Sequence, residues 1–136
     1  LHQRVGAVLT ERFGNRRDLT ILDVGCGTGG LLDFLRQRGY VNLRGLDGAA
    51  EGVAFCRARG LDVTQLDLND FASYSNTDLF DVIVCNDVFC YFSDAQLTRL
   101  FTELARRLKP GGLLISNNNA FSVFWGQHDL AVSSTR

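Results

Sequence analysis

The sequence predicts an α/β protein built on a doubly wound, mainly parallel sheet with helices on both faces. Three observations lead there. Strand-like apolar runs alternate with amphipathic helical stretches along the chain. The centres of those runs are continuously apolar, as in strands covered on both faces, and do not alternate with period two. A glycine-dense turn joins the first run to the helix that follows it. A single domain spanning 1–136 is expected from 136 residues at 46% apolar and 21% charged, since this is an ordinary size and composition for one domain.

Val5, Val8, Leu9 and Phe13 recur at helical spacing, so residues 1–18 read as an N-terminal helix closed by Gly14-Asn15. The run Leu19-Thr20-Ile21-Leu22-Asp23-Val24 is a strand cut off by Gly25. Leu31, Leu32, Phe34 and Leu35 form a helix face that stops at Gly39, and Leu43 to Leu46 form a second strand ending at Asp47. Ala49 to Arg59 is helical in composition, and Gly60 closes it before a third strand, Leu61 to Leu66. The polar stretch Ser73 to Asp78 leads into the most apolar strand, Phe80 to Cys85, and then a loop from Asn86 to Ser93. A helix burying Leu97, Leu100, Phe101, Leu104 and Leu108 ends at Pro110-Gly111-Gly112, which turns the chain into the strand Leu113-Leu114-Ile115-Ser116. The cofactor-type core is thus 19–117, and 118–136 is a tail, polar first and then aromatic.

Fourteen basic residues against fifteen acidic leave a formal charge of -1, so no summed positive field favours general nucleic-acid binding. No apolar run approaches the roughly 20 residues that span a bilayer, and the first residues lack the order of a signal peptide. A soluble, cytoplasmic protein without membrane contact is expected. Cys26, Cys56, Cys85 and Cys90 include no C-x-x-C pair and read as reduced, buried thiols. With only two histidines, far from the cysteines, no metal site is expected. No Met is present, even at position 1, and the chain reads as a fragment.

In doubly wound sheets ligands bind beyond the carboxyl ends of the strands, where strand order reverses. Gly25-Cys26-Gly27-Thr28-Gly29-Gly30 lies there, and its missing side chains let a ligand approach the backbone and the first helical N–H groups. It fits both G-x-G-x-G and G-x-G-x-x-G, so the glycines leave S-adenosylmethionine and NAD equally open. Asp47, about twenty residues beyond Gly25, stands where an acid meets ribose hydroxyls in either site. The number of acids discriminates better: Asp23, Asp47, Asp67 and Asp87 converge on one rim. Like charges at close range repel by about 1 kcal/mol in water and more in a desolvated cleft. A pyrophosphate fits that rim poorly, and the net-positive S-adenosylmethionine fits it well.

These residues also carry a resemblance. Ile21-Leu22-Asp23-Val24-Gly25-Cys26-Gly27-Thr28-Gly29 resembles the first motif of the class I S-adenosylmethionine-dependent methyltransferases, small-molecule type, with a Rossmann-like fold. Gly45-Leu46-Asp47 is similar to their ribose-binding motif, Asp67-Leu68 to their adenine-side position, and Phe80 to Asp87 to their fourth-strand motif. Leu108-Lys109-Pro110-Gly111-Gly112 resembles their turn before the fifth strand. The resemblance implies that Asp23 and the backbone of Gly25, Cys26, Gly27 and Gly29 hold the methionine end. Asp47, with Gly48 beside it, would bind the ribose, Asp67 and Leu68 would flank adenine, and the carbonyl of Asn86 would approach the amino group. Phe89, Tyr91 and Phe92 would line the sulfonium.

The implied activity is methyl transfer to an O, N or C nucleophile of a small molecule. No catalytic side chain is obligatory, and Asp87, Tyr91 and His128 are the candidate bases. An NAD-binding oxidoreductase and a non-catalytic binding module are the alternatives. The family adds an antiparallel closing pair of strands after the fifth. The chain stops about twenty residues after Ile115, so a fold lacking its last strands is expected, with the fifth strand left as an open edge and 118–136 as a substrate-side cover.

Overall fold

The computed structural model describes residues 2–86, 88, 92–118, 121–126 and 130–134. The chain runs α1 (His2–Phe13), β1 (Thr20–Val24), α2 (Gly30–Gln37), β2 (Asn42–Asp47), α3 (Ala50–Ala58) and β3 (Val63–Gln65). A 3-10 helix (Leu68–Ser73) then precedes β4 (Phe80–Asn86), α4 (Asp94–Arg106), β5 (Leu108–Asn118), β6 (Phe121–Gly126) and β7 (Leu130–Ser134). The strands form one sheet in the order β3-β2-β1-β4-β5-β6-β7. Pairing is parallel from β3 across to β5 and antiparallel for β5-β6 and β6-β7. Strand order therefore reverses beside β1, between it and β4, as the doubly wound class requires.

The central strands β1 and β4 are largely apolar because each buries both faces. Ile21 packs with Val5 and Leu9 of α1 and Leu31 and Leu35 of α2, whereas its neighbour Leu22 packs with Leu100 and Leu104 of α4. Val82 and Val84 join the first group, and Ile83 and Cys85 the second. A third cluster, with Cys26, Leu32, Val53, Cys56, Leu61 and Val63, joins α2 and α3 to the β3 side of the sheet. α4 begins with a capping box, in which Ser93 accepts the Gln96 N–H and the Gln96 side chain accepts the Ser93 N–H.

At the amino ends of the strands the buried Asp81 ties three of them together. Its Oδ2 accepts the Thr20 N–H at 2.9 Å and the Lys109 ammonium at 3.2 Å. Arg107 donates to the carbonyls of Tyr74 and Asn76 and lies over the rings of Phe71 and Tyr74, fixing the polar stretch before β4.

Four features differ from the sequence expectations. The third strand pairs only over Val63–Gln65, and the 3-10 helix had no periodic signal. Residues Lys109 to Gly112 lie inside β5 as a register shift, with Phe80 opposite Leu108 but Val82 opposite Leu113. Finally, the sheet does not stop at β5: β6 pairs with β5 from Leu113 to Asn118, and β7 pairs with β6. The segment 121–126 is rich in aromatic and β-branched residues, which suit a pleated surface, so the tail extends the sheet and β5 is not an open edge. Among the described residues, no helix is long and apolar enough to cross a membrane.

Leu22, fully buried at the centre of β1, offers a direct check on this packing. Leu22→Ala is expected to lower unfolding free energy by about 2–5 kcal/mol, read from the midpoint of urea unfolding.

Candidate functional site

The chain leaves β1 through a loop whose shape only glycine accommodates: φ is 76° at Gly25, 56° at Gly27 and 84° at Gly29. A Cβ on Gly25 would also stand 2.8 Å from Val88 Cγ2, and one on Gly29 would stand 2.7 Å from Leu61 Cδ1. The loop hangs from β2, because the N–H groups of Gly25 and Cys26 both donate to the Leu46 carbonyl, at 2.8 and 2.9 Å.

Asp47, half-buried at the end of β2, continues that attachment. Its Oδ2 accepts the Gly27 N–H at 2.8 Å and its Oδ1 accepts the Ala49 N–H at 2.8 Å. A carboxylate offers about four acceptor positions, so each oxygen keeps capacity for one more donor. Asp67 caps the 3-10 helix by accepting the Asn69 N–H at 2.9 Å, and Leu68 follows it. A cleft of about 450 Å³ is lined by Gly25, Asp47, Gly48, Asp67, Leu68 and Phe92, together with Ala49, Asn69 and Val88.

Asp23 sits behind the loop in β1, between Gly45 of β2 and Val84 of β4, and is 3% exposed. Burial, reinforced by the nearby Asp47 carboxylate, pushes its pKa up to about 7. The Cys26 side chain points away from the cleft into the α2-α3 cluster, where its sulfur fills the space left by Gly45. Burial likewise raises the thiols of Cys26, Cys56 and Cys85, which are all free, consistent with packing residues and not reactive ones.

The structure thus gathers Gly25, Asp47, Gly48, Asp67, Leu68 and Phe92 around one cleft, with Gly27 and Gly29 in the loop beside it. Asn86 ends β4 opposite Asn117 of β5. Asp87, Phe89, Tyr91 and His128 lie outside the described residues, as does Cys90. Ala49, Asn69 and Val88 were not foreseen. Ala49 and Asn69 each stand two residues after an Asp that accepts their N–H, a local pattern that could have flagged them, whereas Val88 carries no comparable signal. Among the described residues, no group of three or more His, Cys, Asp or Glu side chains is placed to hold a metal. A larger cavity, about 830 Å³, opens at the opposite ends of the strands. Its Arg44 is paired with Asp62 and Asp78 and its Lys109 with Asp81.

A family model described as "Methyltransferase domain" matches residues 21–112, from the middle of β1 into β5. The chain belongs to this family. Cyclopropane-fatty-acyl-phospholipid synthase of Escherichia coli (strain K12) is 32% identical to this methyltransferase domain over 110 residues, covering 79% of this chain and 28% of that protein. Trans-aconitate 2-methyltransferase of Mycobacterium tuberculosis (strain ATCC 25177 / H37Ra) is 39% identical over 101 residues, covering 71% of this chain and 37% of that protein. The chain therefore spans well under half the length of these curated relatives. Among solved structures, a SAM-bound amino pentose methyltransferase from Micromonospora echinaspora superposes with a TM-score of 0.70 at 21% identity, over 99% of this chain and 64% of that one. At that identity the likeness establishes a shared fold.

Asp23 gives the site a pH signature. Its folded pKa, near 7, lies above the ordinary 3.8, so the native state holds an extra proton between those values. Its contribution to stability is full below about pH 4 and is lost as pH rises through 7. Asp23→Asn removes that loss: the variant is expected to be more stable than the parent at pH 8 by about 1–3 kcal/mol, with the gap closing toward pH 4 in unfolding curves measured across that range.

Proposed function

We propose that this methyltransferase domain binds S-adenosylmethionine and moves its methyl group to an O, N or C nucleophile of a small molecule. The carrying observation is the Asp47 carboxylate, which is bonded to the glycine loop through Gly27 yet keeps an acceptor position on each oxygen, inside a cleft whose far side is Asp67 and Leu68. Two adjacent acceptors beside a glycine loop suit the paired hydroxyls of a ribose. Leu68 offers an apolar surface to a flat base, and the second oxygen of Asp67 an acceptor for its amino group. The Gly25, Cys26, Gly27 and Gly29 backbone with Asp23, and the Asn86 carbonyl across the rim, then face the amino-acid end.

The charge distribution agrees. Asp47 and Asp67 line one cleft with the buried Asp23 behind the loop, and in a partly desolvated site carboxylates repel a pyrophosphate. A sulfonium and an ammonium relieve the same repulsion, and an ammonium near Asp23 would favour its ionised form. The Micromonospora relative in fold is itself described as SAM bound, and the mycobacterial relative is named as a methyltransferase.

When bound, S-adenosylmethionine supplies a methyl group on a positively charged sulfur: the nucleophile's lone pair bonds to the methyl carbon as the carbon-sulfur bond breaks, leaving a neutral thioether. The protein's part is alignment and exclusion of water. Phe92 and Val88 bring apolar surface to the cleft, and Asp87, Tyr91 or His128 would take a proton where the acceptor is a hydroxyl. A small acceptor fits the near-neutral charge better than a nucleic acid does. Free buried thiols suit the cytoplasm.

Calorimetric titration with S-adenosylhomocysteine, with NADH in parallel, tests this reading. Binding of the first alone is expected, weakened about tenfold or more in Asp47→Ala, or roughly 1.4 kcal/mol. Binding of NADH alone, or of neither by the folded protein, would overturn it. Transfer of a labelled methyl group to small molecules of a cell extract separates an enzyme from a binding module of the same fold.

A further inference from the structure

The shape of the glycine loop is maintained from behind, by residues that do not line the cleft. We propose that one face of α3, formed by Gly52 and Cys56 and extended by Arg59 at the helix end, is the seat that holds this loop in its ligand-receiving form, with Cys56 and Arg59 as positioning residues. The inference rests on the reading that the loop receives the cofactor.

Spacings of four and three place Gly52, Cys56 and Arg59 on one side of a helix. Each meets the loop differently. A Cβ on Gly52 would stand 2.9 Å from the Gly27 carbonyl oxygen, so the helix approaches as closely as a missing side chain permits. The Cys56 thiol donates to that same oxygen at 3.4 Å. The Arg59 guanidinium donates to the next carbonyl, Thr28, at 3.4 Å. The seat thus receives two successive carbonyls of the loop.

Peptide planarity fixes the next N–H as well. The carbonyl and N–H of one trans peptide unit point in opposite directions. With the Gly27 carbonyl turned onto α3, the Thr28 N–H is turned away from it. Gly29 completes the fit, since a Cβ there would stand 2.9 Å from Cys56 Sγ.

Arg59 is itself held. Its Nη2 pairs with Asp33 in the first turn of α2 at 2.9 Å, and its guanidinium lies 5.2 Å from the centre of the Phe55 ring. Arg36 of α2 donates to the Arg59 carbonyl at 2.8 Å and also pairs with Asp33. These arginines, Arg36 first, hold the Asp33 carboxyl below its usual range. Exposed ion pairs of this kind contribute little to global stability. What the network does join is the Thr28 carbonyl of the loop to the first turn of α2 through Arg59 and Asp33.

The test combines S-adenosylhomocysteine titration with amide hydrogen exchange of the ligand-free loop, residues 25–32. Gly52→Ala is expected to weaken binding about tenfold or more, as small displacements of a binding group do, and Arg59→Ala about threefold or more. Arg59→Lys, which keeps the charge beside Asp33, is expected to recover part of the loss. Both weakened variants should exchange faster in the loop. Leu108→Ala, a core truncation at the amino end of β5 opposite Phe80, should lower the melting temperature and leave both readouts unchanged.

Wild-type affinity and loop exchange in Gly52→Ala and Arg59→Ala would overturn the seat, as would equal changes in Leu108→Ala. If the wild-type protein itself fails to bind S-adenosylhomocysteine, the cofactor reading falls. The exchange comparison then decides whether α3 holds the loop: faster exchange confined to the seat variants supports it, and unchanged exchange overturns it.

Discussion

The carboxyl rim depends on the junction between β1 and β2. Gly25 and Cys26 donate to the carbonyl of Leu46, and Gly27 donates to the carboxylate of Asp47. Three consecutive N–H groups of the loop are thus satisfied by two consecutive residues of β2. The parallel register, Val24 opposite Leu46, brings those partners level with the turn, and positive φ at Gly25 and Gly27 lets the backbone meet them. The chain bonds that shape the loop are also the bonds that aim Asp47. Loop and acid therefore form one unit, and neither holds its geometry without the other.

That unit carries an energetic tension. Asp23 is buried in the central strand with apolar neighbours on β4 and a second carboxylate nearby, a position that folding alone does not favour. Departures from packing rules tend to concentrate at functional sites and be offset elsewhere. Here the offset is the apolar sheet itself, with Ile21, Leu22 and Val24 fully buried around Asp23 on the same strand. The opposite end follows another rule. There Asp81 is matched by Lys109 and by the Thr20 N–H, a carboxylate used to join strands. The two ends of one sheet thus use buried aspartates in contrasting ways.

Much of this was legible in the sequence because the relevant constraints are local. Strands buried on both faces are nearly continuous in apolar residues, and a turn with φ values near 60–80° favours glycine, so β1, β4 and the loop announced themselves. Strand-end acids at Asp47 and Asp67 followed from where the strands ended. The 3-10 helix was not legible, since it is set by one side-chain bond, Asp67 to Asn69, and by Phe71 entering the core, with no repeating pattern. β3 is shorter than its predicted run because the Leu61 N–H is spent on the Cys56 carbonyl at the end of α3. The direction of Cys26 depends on Gly45, nineteen residues away in sequence. Contacts of α3 with the loop are likewise tertiary, and nothing in the composition of Ala50–Ala58 foretells them.

The strand pairing also leaves the two sides of the described sheet unlike. At one side the sheet ends in β3, three residues long, too short to template pairing by another chain. At the other side the outermost described strand is β7, Leu130–Ser134, whose five residues carry no charge. Charged side chains are the usual guard against a further strand, so the two sides of the described sheet offer a neighbouring strand different receptions: β3 is brief, and β7 is longer and uncharged.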